Sequence, residues 1–471
     1  MIKINFERIK TYFLIFLIIT SIFLTGSLWF DNYEGAFVLV EKVASKFQEK
    51  FNGVKYTEMY DQLIQPYKVI VNTGDQNHYI YYANDESSKT VWNLSKQVLT
   101  NNVTGKKRKT IVDKSEWESL FDRQTVVCEF AYPINKELIK SLCNISKEDN
   151  ELPEKISGIA FTKTLEGGLC YINEKNDKGE SIIHKYYWDF NYTDFENYIN
   201  SCIEAKNYSK YMTLAELGTN TFIDNKTLAF EKDIMLPVAV NKQETRKQVE
   251  KIKINSYFDI KDDNEINKLV MNFLDTNDVS KFTTNDGGVI FTSENKDTVT
   301  INSNGYIEFI AKKKDIVNEG NMLNNFNDVI KFLRNNGDLK DEFYLLGTAK
   351  EGKEYVFYFG MNHEGIPVIM DNNPANENEL CLLEIRVSAG EITLYKKIDT
   401  AKDKDNGNIS INLAGSKVLD DLLPLCEAES NIEIDELVLA YKLNDESKIP
   451  YWYTRYLYND VGGHILVKTS K

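Results

Sequence analysis

The hydrophobic pattern sets the first thirty residues apart from the rest of the chain. Residues 11–30 (TYFLIFLIITSIFLTGSLWF) hold no charge, and an apolar run of about 20 residues is long enough to cross a ~30 Å hydrocarbon core as a helix. Lys3, Arg8 and Lys10 precede the run, opposed by Glu7 alone, and Asp31 and Glu34 follow it. Basic residues stay on the cytoplasmic side. The chain is therefore expected to run from a cytoplasmic tail at 1–10, through a transmembrane helix at 11–30, to an extracytoplasmic bulk. Tyr12 and Trp29 lie near the two ends, where amphipathic rings favour the membrane interface. A cleaved signal peptide fits less well, because its apolar segment is usually about 7–15 residues long and is followed by an A-x-A-like site. Within the run, Ser21 and Thr25 stand on one helical face, with Thr20 and Gly26 beside them. Small and hydroxyl residues let membrane helices approach and hydrogen-bond, so Thr20, Ser21, Thr25 and Gly26 are candidate partner-binding positions. The plainer alternative is that the hydroxyls bond their own backbone and face lipid.

No second apolar run of that length follows. Residues 36–47 repeat apolar positions at three- and four-residue spacing and predict a helix that continues the anchor. Beyond it, runs rich in Tyr, Val and Ile predict strands at 67–71, 78–83 and 125–132, the last ended by Pro133, with helices at 88–99 and 136–143. The polar stretch 146–153 marks a boundary. A strand pair at 156–165 and 168–173, a strand at 181–190 and a helix at 195–204 follow. Next come a helix at 266–274 and three strands at 289–292, 298–302 and 306–311, with Asp286-Gly287 and Asn304-Gly305 supplying hairpin turns. That plan recurs: a helix at 322–334, strands between 342 and 396, a helix at 413–426, and strands at 433–442 and 451–458. The expected class is α+β, with helices on one face of antiparallel sheets. The expected extracytoplasmic domains are 31–150, 151–315 and 316–471.

Composition sharpens this picture. The 471 residues carry 56 Lys+Arg against 71 Asp+Glu, a formal charge of −15. The acidic balance argues against a nucleic-acid partner, which needs a basic patch. Lys3, Arg8, Lys10 and Glu7 together contribute +2, which leaves −17 for the exported part. Such a body is repelled by an anionic membrane surface. The six cysteines, at 128, 143, 170, 202, 381 and 426, include no C-x-x-C and single out no disulfide pairing. Cys128 and Cys381 sit in apolar runs and are expected to be buried.

Motifs for catalysis are missing from the sequence. There is no G-x-S-x-G and no H-E-x-x-H. His78, His184, His363 and His464 each stand apart, without a second His or clustered acids at helical spacing, and are expected to be structural. His363 falls in the turn Gly360-Met-Asn-His-Glu-Gly365, where solvent exposure would explain it. In the acidic loop 399–408, Asp403 and Asp405 fit the first two ligand positions of a calcium loop, but Gly407 occupies the next. A solvated turn is expected there. Tyr186-Tyr-Trp188 and Tyr451-Trp-Tyr453 could stack on sugars, although strand aromatics more often pack a core. The site inventory is therefore empty of catalytic, metal and cofactor residues.

Four stretches carry a resemblance. They are the anchor with Leu28-Trp29 and the helix from Val38 to Val43; Gln65-Pro-Tyr-Lys-Val-Ile-Val71 with Trp92; Val126-Val-Cys-Glu-Phe-Ala-Tyr-Pro133; and a C-terminal set. That set comprises Tyr355–Phe359, Gly365-Ile-Pro-Val-Ile369, Glu384-Ile-Arg-Val387, Gly390, Ala440-Tyr441 and Pro450-Tyr-Trp452. With these the chain resembles the YycH family of regulatory proteins, whose C-terminal plan the related YycI proteins share. The resemblance implies an exported, single-anchor protein with no catalysis, in a low-GC Gram-positive bacterium. It implies control of an essential sensor histidine kinase (YycG/WalK-like), in a complex with a YycI-like protein and partly through transmembrane helix contacts. Cell-wall homeostasis is the process controlled. The alternative reading is a cell-envelope module that binds glycan or peptide through its aromatics.

Overall fold

The computed structural model describes residues 56–469, leaving out 76, 104–107, 146–151, 165–166, 177–179, 189, 205–209, 214–227, 231–233, 239–245, 275, 277, 286, 313–319, 338–341, 377, 413–431 and 459–460. The anchor, the helix expected at 36–47 and the one expected at 413–426 lie outside the described residues. Among the described residues, no helix is long and apolar enough to cross a membrane.

In chain order the first strands are β1 (Lys68–Thr73), β2 (His78–Tyr82), β3 (Lys109–Val112), β4 (Gln124–Asn135), β5 (Lys155–Thr164), β6 (Gly167–Lys175), β7 (Ser181–Tyr186), β8 (Lys210–Thr213), β9 (Leu228–Phe230) and β10 (Met235–Val238). All but β9 form one nine-stranded sheet in the order β10-β8-β2-β1-β4-β5-β6-β7-β3. Its pairings are antiparallel. Its central strands are buried along most of their length, β1 at every position. The helix Glu86–Asn102 buries Val91, Trp92 and Leu99 and is capped by the Asp85 carboxylate, which accepts from the Ser87 N–H. Such a cap satisfies an N–H that the helix itself leaves orphaned.

The second half adds β11 (Arg246–Ser256), β12 (Val279–Thr283), β13 (Val289–Ser293), β14 (Thr298–Ile301), β15 (Tyr306–Ile310), β16 (Phe343–Glu351), β17 (Glu354–His363), β18 (Ile366–Ile369), β19 (Leu383–Ser388), β20 (Glu391–Ile398), β21 (Thr400–Asn412), β22 (Ile432–Lys442), β23 (Tyr451–Tyr458) and β24 (Val461–Lys468). β11 and β21 pair as a ribbon, and the others join β9 in a thirteen-stranded sheet. It is antiparallel except where β22 pairs with β18 and with β9. The helix Met322–Asn335 lays Phe326, Val329, Ile330 and Leu333 into the core. The predicted Asn-Gly turn joins β14 to β15. Gly305 adopts φ +83° there, and a Cβ would meet the Tyr257 nitrogen at 2.6 Å, so both conformation and space require glycine.

Hydrogen bonding continues across both expected domain boundaries. β4 and β5 pair across residue 150, and β15 and β20 pair across residue 315. The large sheets meet at a core that joins Tyr67 and Tyr82 to Tyr344, Leu346, Val438 and Tyr453. The architecture is the α+β class the pattern predicts, with two corrections. β4 does not stop before Pro133: its pairing with β5 skips from Glu129 to Ile134, and a bulge there accommodates a residue without an N–H. The acidic segment 399–408 is not a solvated turn. It runs into β21, where β11 supplies a partner strand and Ile252, Ile254 and Ile411 supply buried side chains.

Candidate functional site

Thr20, Ser21, Thr25 and Gly26 lie outside the described residues. Within them, polar groups converge around the histidines, which distant segments supply with carboxylates. His363 corrects the expectation of a solvent-exposed turn residue. It ends β17, is 4% exposed, and its Nε2 stands 2.6 Å from Glu250 Oε2 on β11. Its Nδ1 stands 3.2 Å from the Lys402 ammonium on β21, and Lys402 in turn pairs with Glu342. An ammonium has only protons to give, so Nδ1 must be the acceptor and Nε2–H the donor to Glu250. The result is a chain of alternating partners from Glu250 through His363 and Lys402 to Glu342. It ties the ribbon to the large sheet.

Glu250, His363 and Glu364 bring ligand-type atoms within 4.8 Å of one another. A metal on Nε2 would force the proton onto Nδ1, facing the Lys402 ammonium. The cation already present is Lys402, and the cluster is built as an ion-pair clamp.

His464, on β24, is set similarly. Its Nδ1 lies 2.8 Å from Glu379 and its Nε2 3.3 Å from Asp371. Lys442 pairs with the same Asp371, and the Tyr453 hydroxyl donates to Glu379 at 2.9 Å. His78 is buried with its Nδ1 2.6 Å from Asn72 Oδ1.

His184, on β7, lies 2.7 Å from Glu174 through Nε2, while its Nδ1 is buried with no partner. Burial holds its pKa below the usual histidine value, outweighing the Glu174 hydrogen bond that acts in the opposite direction. The geometry agrees: an imidazolium would need a second acceptor at Nδ1, and none is there. A group whose folded pKa is depressed contributes stability that is present above its unfolded value, about 6.5 for histidine, and is lost as pH falls below it. The urea midpoint is therefore expected to drop between pH 7.5 and 5.5. His184→Gln should make that drop smaller, and an unchanged drop would remove this role for His184.

The cysteines offer no nucleophile among the described residues. Cys128, Cys143, Cys170, Cys202 and Cys381 are free and buried. Burial pushes Cys128, Cys143 and Cys381 each up to about 12, far from the thiolate that chemistry needs. A cleft of about 170 Å³ between the helices Glu86–Asn102 and Thr193–Glu204 is lined by Leu94, Val98, Phe190, Asp194 and Phe195 among others, and holds no His or Cys. Tyr186, Trp188, Trp452 and Tyr453 are buried, so core packing is their use. Sequence reasoning missed the acids and lysines that meet the histidines. Glu250 and His363 are 113 residues apart, and no local spacing could have linked them.

Fold and clusters define a class: an α+β protein of broad antiparallel sheets, whose buried polar groups fasten one element to another. Residues 7–168 match the family described as YycH protein, N-terminal domain. In fold the chain is similar to the crystal structure of YycH from Bacillus subtilis, with a TM-score of 0.55 and 14% identity over 87% of this chain and 97% of that one. A likeness to the Bacillus megaterium YpeB C-terminal domain covers 45% of this chain and 93% of that one at 15% identity, and its TM-score of 0.25 carries no argument. No curated protein matches the chain in sequence. Residues 7–168 thus match the N-terminal domain of the YycH family, and the fold of the chain is similar to that of YycH.

Proposed function

We propose that this chain is a non-catalytic, membrane-anchored regulator of a YycG/WalK-like sensor histidine kinase that governs cell-wall homeostasis. In this reading residues 11–30 hold it in the cell membrane, with 1–10 in the cytoplasm and the bulk outside. A YycI-like protein is its companion, and Thr20, Ser21, Thr25 and Gly26 form part of the contact between helices. The observation that carries the reading is the match of residues 7–168 to the YycH N-terminal domain. The anchor supplies the means: small hydroxyl residues on one helical face suit helix association in lipid. The competing reading, a glycan- or peptide-binding module, is weakened by burial of Tyr186, Trp188, Trp452 and Tyr453, four of the six aromatics that suggested it.

Full-length protein is expected to co-purify in detergent with a kinase of this type, and to crosslink to it in membranes from positions 20, 21 and 25. Replacing residues 11–30 with an unrelated apolar helix should abolish its effect on kinase output. Equal regulation by the anchor-swapped chain would sink the transmembrane part of the reading, and loss of co-purification would sink the whole.

A further inference from the structure

His464 faces a carboxylate from each of its ring nitrogens, Glu379 from Nδ1 at 2.8 Å and Asp371 from Nε2 at 3.3 Å. A carboxylate only accepts, and a neutral imidazole has a single N–H to give. Both contacts are therefore hydrogen bonds only when the ring is an imidazolium. A neutral ring must turn a lone pair on one of the two oxygens, in a place where the three side chains are no more than 28% exposed.

The groups around the ring favour that proton. Asp371 also pairs with Lys442 of β22. Arg455 of β23 lies directly across the ladder from His464 and stands 3.8 Å from Glu436 of β22. Glu379 is placed differently: one oxygen accepts from the Tyr453 hydroxyl, and the other meets His464. Burial and the Glu379 charge push the Tyr453 hydroxyl well above its usual range, so it stays a neutral donor. Three carboxylates thus meet two fixed cations, and the imidazolium supplies the third positive charge. Lys468, further along β24, is exposed. The elements joined here are distant in sequence. Asp371 and Glu379 lie in the segment between β18 and β19, and His464 is on β24, which pairs with β23 alone among the described strands. The segment carries Leu380 and Cys381 into the core that joins the two large sheets. Leu466, two residues from His464 and so on the same face of β24, packs against that core.

We propose that His464 is a proton-operated clasp, which as an imidazolium holds the segment between β18 and β19 against β24 and as a neutral ring releases its Asp371 side. The shorter bond to Glu379 is kept by the tautomer with its proton on Nδ1, and the Nε2 lone pair then opposes the Asp371 oxygen. The shut form binds one more proton than the released one. Its advantage is therefore present at low pH and lost as the pH rises through the range where histidine titrates. Release loosens the cover over the junction between the sheets. The inference stands on this cluster and does not depend on the kinase reading.

The test follows amide exchange of the full chain in nanodiscs of neutral phosphatidylcholine at pH 5.5 and 8.0, corrected for the pH dependence of chemical exchange. The amides of Met370, Asn378, Leu380 and Cys381 are bonded within the segment. Their protection is expected to fall by about fivefold or more as the pH rises, with exchange in β1 unchanged. His184 acts on the whole fold in the opposite direction, so general loosening cannot imitate this result. His464→Arg places a fixed cation with several donors in the clasp and should keep protection high at both pH values. His464→Phe keeps a ring but no donor, and should show the lower protection at both. Protection in the parent that does not change with pH would overturn the proposal. So would survival of the parent's pH dependence in His464→Phe or in His464→Arg.

Discussion

A single methyl group added at Gly347 is expected to force the two large sheets apart. A Cβ at this position would lie 2.0 Å from the Tyr132 Cβ, 2.9 Å from its Cα and 3.0 Å from its carbonyl carbon. None of these atoms can be moved by a rotamer change, so the clash must be relieved by backbone displacement. Both partners sit at irregularities. Gly347 follows the register shift in β16 after Leu345, and Tyr132 lies within the bulge of β4 between Glu129 and Ile134. The Tyr132 ring stacks on Tyr358 of β17 at 5.2 Å, which fixes it in place. Overpacking in a close-packed interior usually costs about 1–3 kcal/mol, and a clash with rigid main chain belongs at or beyond the upper end. Gly347→Ala is therefore expected to destabilise by about 3 kcal/mol or more, read as a fall in the urea midpoint at unchanged slope. Gly352→Ala is the control. Its φ of +61° is strained for alanine, but nothing lies within 4 Å of the added atom, so it should cost only about 1–2 kcal/mol. Equal losses at the two sites would show that close contact between the sheets is not what Gly347 provides.

Much of the fold was legible because local patterns dictate it. Strand runs such as Tyr451–Tyr458 and helices such as Met322–Asn335 announce themselves by alternation or by three- and four-residue spacing. The hairpin at Gly305 was legible because only glycine suits that turn. The ribbon of β11 and β21 was not. β11 is rich in Lys and β21 in Lys, Asp and Asn, and what makes them strands is pairing over 144 residues from Ser256 to Thr400. The histidine clusters failed to show for the same reason. Glu250, His363 and Lys402 lie on three strands, and the sequence around each describes only a lone polar residue. Conversely, most of the aromatics that hinted at a binding surface, Tyr186, Trp188, Trp452 and Tyr453, are core residues. The family resemblance rested on stretches such as Val126–Pro133 and Gln65–Val71, which form central strands β4 and β1. Those two stretches of the resemblance thus lie in the interior of the first sheet, and its C-terminal set lies in the second.

The other large effect is expected at Lys68. It faces Glu129 directly across the β1–β4 ladder, with the ammonium 2.9 Å from the carboxylate and the two side chains only 8% and 15% exposed. Replacing a buried pair with apolar residues is often neutral, whereas removing one partner costs about 3–5 kcal/mol. Lys68→Met keeps the bulk of the stem but leaves the Glu129 carboxylate without the charge of Lys68. The Tyr82 hydroxyl is another group on which Lys68 acts. Burial raises its pKa well above the usual range, and the nearby lysine only partly offsets that. The single variant should therefore lose about 3 kcal/mol or more at pH 8. Taking up a proton relieves a buried carboxylate that has lost the charge of Lys68, so the gap between variant and parent should narrow as the pH is lowered towards 5. Lys68→Met combined with Glu129→Leu should recover most of the loss, giving a coupling energy of about 2 kcal/mol or more in the double-mutant cycle. A single-variant loss below about 1 kcal/mol, the level of an exposed ion pair, and a gap that does not change with pH would show that water still reaches this pair.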